Sequence, residues 1–288
     1  MGTVRCKSYA KINLTLKITG EEKGYHTLDS VVASVDLYDL IVLKSRRDKL
    51  VSVTMHGCGS ESIPFENNNA VRAAENFINE FGTCGADITV YKNIPMGLGL
   101  GGSSADSAGV LNGLARLYKI NDTVKLKLLA DGVGSDTRYM LGGGYARLFG
   151  RGDIVKRIES NLRLDILLLA PNGTVSTAEC YKRFNAPFSN DCNGAEQAVA
   201  NGDKSALAGC VCNDLTAPAS ILCKDVQTAI DELKEFDPLA VNMTGSGSGV
   251  YAIFENPEFC AYAKSRYRGK FRAIQVNTIL PTPKNLNY

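Results

Sequence analysis

Ten residues, Pro95-Met-Gly-Leu-Gly-Leu-Gly-Gly-Ser-Ser104, constrain this chain more than any other segment. Four glycines fall within six positions, and each adds unfolded-state entropy that folding must overcome. A surface turn needs no such run. It does allow close backbone approach and a row of N–H groups, and it leads into helical apolar spacing at Ala108, Val110, Leu111, Leu114 and Leu117. Ser103 and Ser104 are the expected N-caps of that helix. A helix N-terminus carries roughly half a positive charge, so loop and helix together make a cradle for a di- or triphosphate.

Several readings compete for the run. A P-loop requires Gly-Lys-Ser/Thr at its end, and the lysine is missing. Gly97-x-Gly99-x-x-Gly102 satisfies the dinucleotide fingerprint, with Asp122 beyond it, yet Lys92-Asn-Ile-Pro95 separates it from the preceding strand. No His-Arg-Asp or Asp-Phe-Gly triplet marks a protein kinase. A tight strand–helix turn with no ligand is the remaining alternative.

The 288 residues suit one large domain or two modest ones. Lys plus Arg is 32 against 30 for Asp plus Glu, so neither nucleic acid nor an anionic membrane is expected as partner. Phosphate affinity must then be local. No apolar signal core opens the chain and no apolar run approaches a membrane span; a cytoplasmic protein, monomer or homodimer, is expected. Gly2 lacks the Ser or Thr that myristoylation wants at position 6, which is Cys6. Nine cysteines without a Cys-x-x-Cys pair, and only two histidines, read as reduced thiols rather than a zinc site.

Period-2 alternation predicts strands over Ser8–Ile18, Val31–Leu43 and Leu50–Met55. A helix follows over Asn69–Phe81, then strand Asp87–Tyr91 before the glycine run, and a helix near Val124–Ala130. A second unit opens with the Leu-rich strand that ends at Ala170, continues through helices near Thr177–Phe184, Ala195–Ala200 and Ile221–Glu235, and closes on strand Gly249–Phe254, helix Pro257–Ser265 and strand Phe271–Val276. The order points to an α+β protein of two halves, residues 1–155 and 156–288.

Four segments in order, Ala10-Lys-Ile-Asn-Leu14, Pro95–Ser104 with Ala105-Asp106, Gly134-Ser-Asp136 and Met243-Thr-Gly-Ser-Gly247, resemble the GHMP kinase superfamily. Gly24-Tyr-His26, Val175-Ser-Thr-Ala-Glu179 with Tyr181, and Asn213-Asp-Leu215 resemble, within it, the 4-diphosphocytidyl-2-C-methyl-D-erythritol kinases. The resemblance implies a two-domain fold with ATP and a CDP-linked methylerythritol bound in the cleft between domains, and transfer of a phosphoryl group to a hydroxyl of the latter. It implies Asp136 as proton acceptor with Lys11 beside it, since a nearby cation favours a charged carboxylate. Tyr25 and Tyr181 would clamp the cytosine, His26 would bond its edge, and Asn13 and Gly245 would lie beside the substrate. Pro95, Gly97, Gly99, Leu100, Gly101, Gly102, Ser103 and Ser104 would line the phosphates, Asn69 and Lys92 would approach adenine and ribose, and Ser104 would reach Mg²⁺.

Arg138 stands where family members usually have proline, and Thr137 is also unusual there. The alternatives are a related kinase for a small alcohol such as mevalonate, a dinucleotide-dependent oxidoreductase built on Gly97–Gly102, and a binding protein without activity. A small acid needs no aromatic clamp, so Tyr25, His26 and Tyr181 disfavour the first; intact Lys11 and Asp136 disfavour the last.

Overall fold

The computed structural model describes residues 2–57, 64, 66 and 68–280. Its first sheet is built around β3 (Tyr25–Ser45), long enough to pair with β1 (Thr3–Asn13), β2 (Thr15–Glu22), β5 (Ala86–Tyr91) and β6 (Tyr145–Gly150), all antiparallel. β4 (Val51–His56) adds to β5 in parallel, and β7 (Ile154–Ile158) adds to β6 antiparallel. The single strand expected over Ser8–Ile18 is two, because the chain turns at Leu14 between β1 and β2. A mainly antiparallel sheet is not the doubly wound sheet that a dinucleotide fingerprint needs, and residues 92–101 separate β5 from the next helix. The oxidoreductase alternative fails on both counts.

Helix α1 (Asn69–Phe81) has the predicted bounds. Asn68 Oδ1 accepts the Ala70 N–H, and Gly82 at φ 64° ends the helix in the left-handed region. From its buried face, Ala70, Ala73, Ala74 and Phe77 join Leu111 and Leu114 of α2 (Gly102–Tyr118) over β3 and β5, with α3 (Thr123–Asp131) alongside. α2 starts earlier than expected: its N-cap is Gly101, left-handed at φ 71°, and no serine caps it.

The second sheet has the order β10 (Ala240–Met243), β11 (Val250–Phe254), β8 (Asp165–Ala170), β12 (Arg272–Asn277), all antiparallel. β8 is buried on both faces, which explains its unbroken leucines. Ile166 and Leu168 meet Ala10, Ile12 and Leu14 of the first sheet. Leu167 and Leu169 meet the helices α8 (Thr216–Leu222), α9 (Lys224–Lys234) and α10 (Pro257–Arg266). Each such side chain contributes roughly 1.5–3 kcal/mol, so the two sheets share one apolar interior. Cys212 and Asn213 return to the first sheet and pair with β2. The expected division after residue 155 falls inside β7, which carries the first sheet to Ile158. Among the described residues no helix is long and apolar enough to cross a membrane, and eight cysteines are free thiols; Cys58 lies outside them.

Candidate active site

The register of β1 on β3 breaks between Tyr9 and Lys11. Such a bulge re-aims the following side chains, and Lys11 resumes the ladder opposite Ser34 while its backbone N–H donates to Leu100 O of the glycine run at 3.0 Å. The Lys11 ammonium is buried, donates to Asn13 Oδ1 at 2.6 Å and lies 3.4 Å from Asp136 Oδ2. Asp136 occupies the N-cap position of α4 (Thr137–Met140), yet its side chain makes no capping hydrogen bond. With 24% of its side chain exposed, the carboxylate is free to accept a proton from a group in the cleft.

The glycine run is clamped from two sides. Ser248 N–H donates to Gly97 O at 3.2 Å, and Gly249 N–H to Leu98 O at 3.3 Å. Gly99 is left-handed at φ 71°, and a Cβ there would collide with the Thr244 carbonyl oxygen; only glycine permits that approach. Asn69 Nδ2 donates to Ser103 Oγ at 2.8 Å, and Ser104 Oγ borders Gly134 just ahead of Asp136. Pro95 through Ser103, with Asn69, line a cavity of about 200 Å³ that opens at the start of α2.

Two of the expected site residues are engaged within the protein. Asn13 is buried: Oδ1 accepts from Lys11 Nζ and from Gly245 N–H at 3.0 Å, and Nδ2 donates to Ser30 Oγ at 2.8 Å. Lys92 is also buried, its ammonium held by Asp39 and by Asp106 at 2.6 Å beneath Gly102, and it lines the same cavity as the glycine run. Burial draws Lys92 down, but the charges of Asp106 and Asp39 outweigh it and leave it raised. Burial pushes the Asp106 carboxyl up against the pull of Lys92, with the Asp39 charge adding to the rise.

On the other side of Asp136, His26 stacks on Tyr181 with ring centroids 5.8 Å apart, and Phe184 meets His26 edge-on. His26 Nδ1 is buried without a partner. Burial pushes the Tyr181 hydroxyl up to about 12, and the nearby Asp136 charge adds to it. Tyr25 is exposed, and the Arg151 guanidinium covers one face of its ring at 3.9 Å. An imidazole stacks on Tyr181 and a guanidinium on Tyr25. Gly245, left-handed at φ 59°, sits in the loop held by Asn213 Nδ2, which donates to Met243 O and Gly245 O. Arg151, Phe184, Asp39 and Thr244 were not singled out from sequence.

The GHMP kinase N-terminal domain model matches residues 68–143, and the GHMP kinase C-terminal model residues 195–259. A 4-diphosphocytidyl-2-C-methyl-D-erythritol kinase from Caldanaerobacter subterraneus is 32% identical over 95% of this chain and 96% of its own. The chain belongs to this kinase family. A second member, from Desulfitobacterium hafniense, is 36% identical over 87% of each chain. A crystal structure of 4-(cytidine 5'-diphospho)-2C-methyl-D-erythritol kinase superposes with a TM-score of 0.81 at 28% identity, over 96% of this chain and 99% of that one. Within the family, Arg138 is accommodated at the surface: its Nε lies 3.0 Å from Asp131 Oδ1, and an Nη donates to Asp153 O. Thr137 is buried with Oγ1 unpartnered.

Proposed function

We propose that this chain uses ATP to phosphorylate a hydroxyl on the methylerythritol part of 4-diphosphocytidyl-2-C-methyl-D-erythritol, a step of the non-mevalonate route to isoprenoids. The observation that carries the reading is the 3.4 Å pair of Lys11 and Asp136, set where β1 is bonded to the glycine run. Phosphoryl transfer depends on positioning and charge neutralisation more than on covalent help. Asp136 accepts the proton of the substrate hydroxyl as its oxygen bonds to the γ-phosphorus and the bond to ADP breaks. Lys11 balances the carboxylate and neutralises charge arriving from the phosphates. A base so placed is worth roughly 10²–10⁴ in rate.

Gly99 through Ser104 would hold the β- and γ-phosphates by backbone N–H groups and the N-terminus of α2, with Asn69 at its edge. Among the described residues no group of three or more His, Cys, Asp or Glu side chains gathers as a metal cage. That donor set fits Mg²⁺ held mainly by phosphate oxygens, with Ser104 as the protein ligand; the ion would neutralise charge on the transferring group. For the cytosine, the unpartnered Nδ1 of His26 suits a base edge, and Tyr25 and Tyr181 offer ring faces once Arg151 and His26 yield them. Gly245 lends its loop to the same side. Charged, water-soluble substrates of this kind fit a cytoplasmic enzyme of two domains.

The test is to incubate the protein with ATP and Mg²⁺ against a panel of alcohols and follow ADP release. Turnover with the CDP-linked methylerythritol and none with mevalonate is expected. Turnover with mevalonate alone contradicts the reading.

A further inference from the structure

A cleft of about 760 Å³ lies apart from the one beside the glycine run and shares no lining residue with it. It lies along the outer edge of β1, between α2, the Gly142–Gly144 turn and the segment that follows β12. Its size suits a small organic ligand. Four cations line it: Arg5 and Lys7 on β1, Arg116 on α2, and Arg163 ahead of β8. All four are exposed, and among the described residues none is in an ion pair. One carboxylate, Asp36, reaches the lining, and it already accepts two hydrogen bonds from Asn277, at 2.8 and 3.2 Å. A chain of almost balanced net charge thus gathers four cations on one concave surface; the Lys7 ammonium lies over the Tyr38 ring at 4.3 Å and Arg116 donates to Cys6 Sγ at 3.7 Å, neither of which supplies a counter-charge.

Donors accompany the charge. β1 pairs with β3 alone, so along Arg5–Tyr9 the N–H groups that point away from β3 meet no strand among the described residues. Ser8 Oγ, on the floor, is buried without a partner. The opposite wall is apolar, formed by Met140, Leu141 and Leu280.

We propose that this cleft is a second binding site, separate from the ATP cavity, for a small phosphate-bearing polyanion such as a diphosphate. Free pyrophosphate and a diphosphate ester share the group that Arg5, Lys7, Arg116 and Arg163 recognise; the ester adds an alkyl part that can lie on Met140 and Leu280.

Isothermal titration of the full chain tests this, with the ATP cavity first saturated by a non-hydrolysable ATP analogue and Mg²⁺. Inorganic pyrophosphate and hexyl diphosphate are the two probes. One site per chain is expected, weakening as salt rises and at least tenfold weaker in Arg5→Ala/Arg163→Ala and in Arg116→Ala, with the KM for ATP unchanged in each variant. Tighter binding of hexyl diphosphate identifies an ester as the occupant, and equal binding identifies the free anion. No binding with the ATP cavity filled, or binding that both variants leave intact, overturns the proposal.

Discussion

Asn13 Oδ1 accepts the backbone N–H of Gly245 at 3.0 Å, across 232 residues of sequence. The same oxygen accepts from Lys11 Nζ, so one amide ties the Lys11 ammonium to the loop of the second half. Asn13→Ala removes both bonds and leaves a buried N–H without its acceptor, a loss of about 1–3 kcal/mol. The expected kinetic signature is a kcat lower by ~10–100-fold with a smaller change in KM for ATP. Steady-state kinetics check it, and a change confined to substrate KM would show that Asn13 touches substrate instead.

Gly99 and Thr244 make the second tie between the halves. A methyl group at residue 99 has no space against the Thr244 carbonyl and meets a left-handed φ as well. Gly99→Ala should therefore displace the loop, costing about 1–3 kcal/mol of stability and most of the ATP affinity. Thermal melts and nucleotide titration read the two effects. Gly82→Ala is the control: it shares the left-handed φ but has nothing within 4 Å of its Cβ, so ATP affinity should hold.

Arg151 stands over the exposed ring of Tyr25. If that ring receives the cytosine, Tyr25→Ala raises the KM for the CDP-linked substrate roughly tenfold, in line with ~1–3 kcal/mol for base stacking. The KM for ATP should stay within a factor of two. Equal effects on both substrates would remove Tyr25 from the base site.

Glu196 links the second half to β6 and β7 through Lys156 at 2.6 Å and Arg147 at 2.7 Å. The hydrogen bond from Lys156, then that from Arg147, holds its carboxyl below the ordinary glutamate value. A group lowered in the folded state stabilises above its unfolded value, about 4.3, and loses that contribution as pH falls through the folded one. Glu196→Gln should cost about 1 kcal/mol at pH 7 and measurably less at pH 3. Denaturant unfolding at the two pH values measures the difference, and an equal loss at both would point to packing rather than charge.

Local signals were legible and long-range ones were not. The bounds of α1 could be read because Asn68, Gly82 and the apolar spacing all lie within the helix or next to it. The start of α2 was misread because a left-handed glycine, not a serine hydroxyl, ends the loop. Lys11, Asp136 and the glycine run were readable as motifs, and the fold brings them together. The bonds of Asn13 to Ser30 and Gly245 cross the chain and have no local signal. The burial of Lys92 is hidden in the sequence for the same reason: its partner Asp39 lies 53 residues away. Pairing along β1 exposes a cationic edge that no spacing in the sequence announces.

The most direct test of the chemistry is Asp136→Asn, assayed for turnover with ATP, Mg²⁺ and the CDP-linked methylerythritol alongside nucleotide titration. The amide keeps the size of the side chain and cannot take a proton at neutral pH. Turnover should fall by at least ~10²-fold while ATP affinity stays within a factor of about three. Turnover near that of the unaltered chain, or a loss explained wholly by weaker ATP binding, would contradict a role for Asp136 as the proton acceptor.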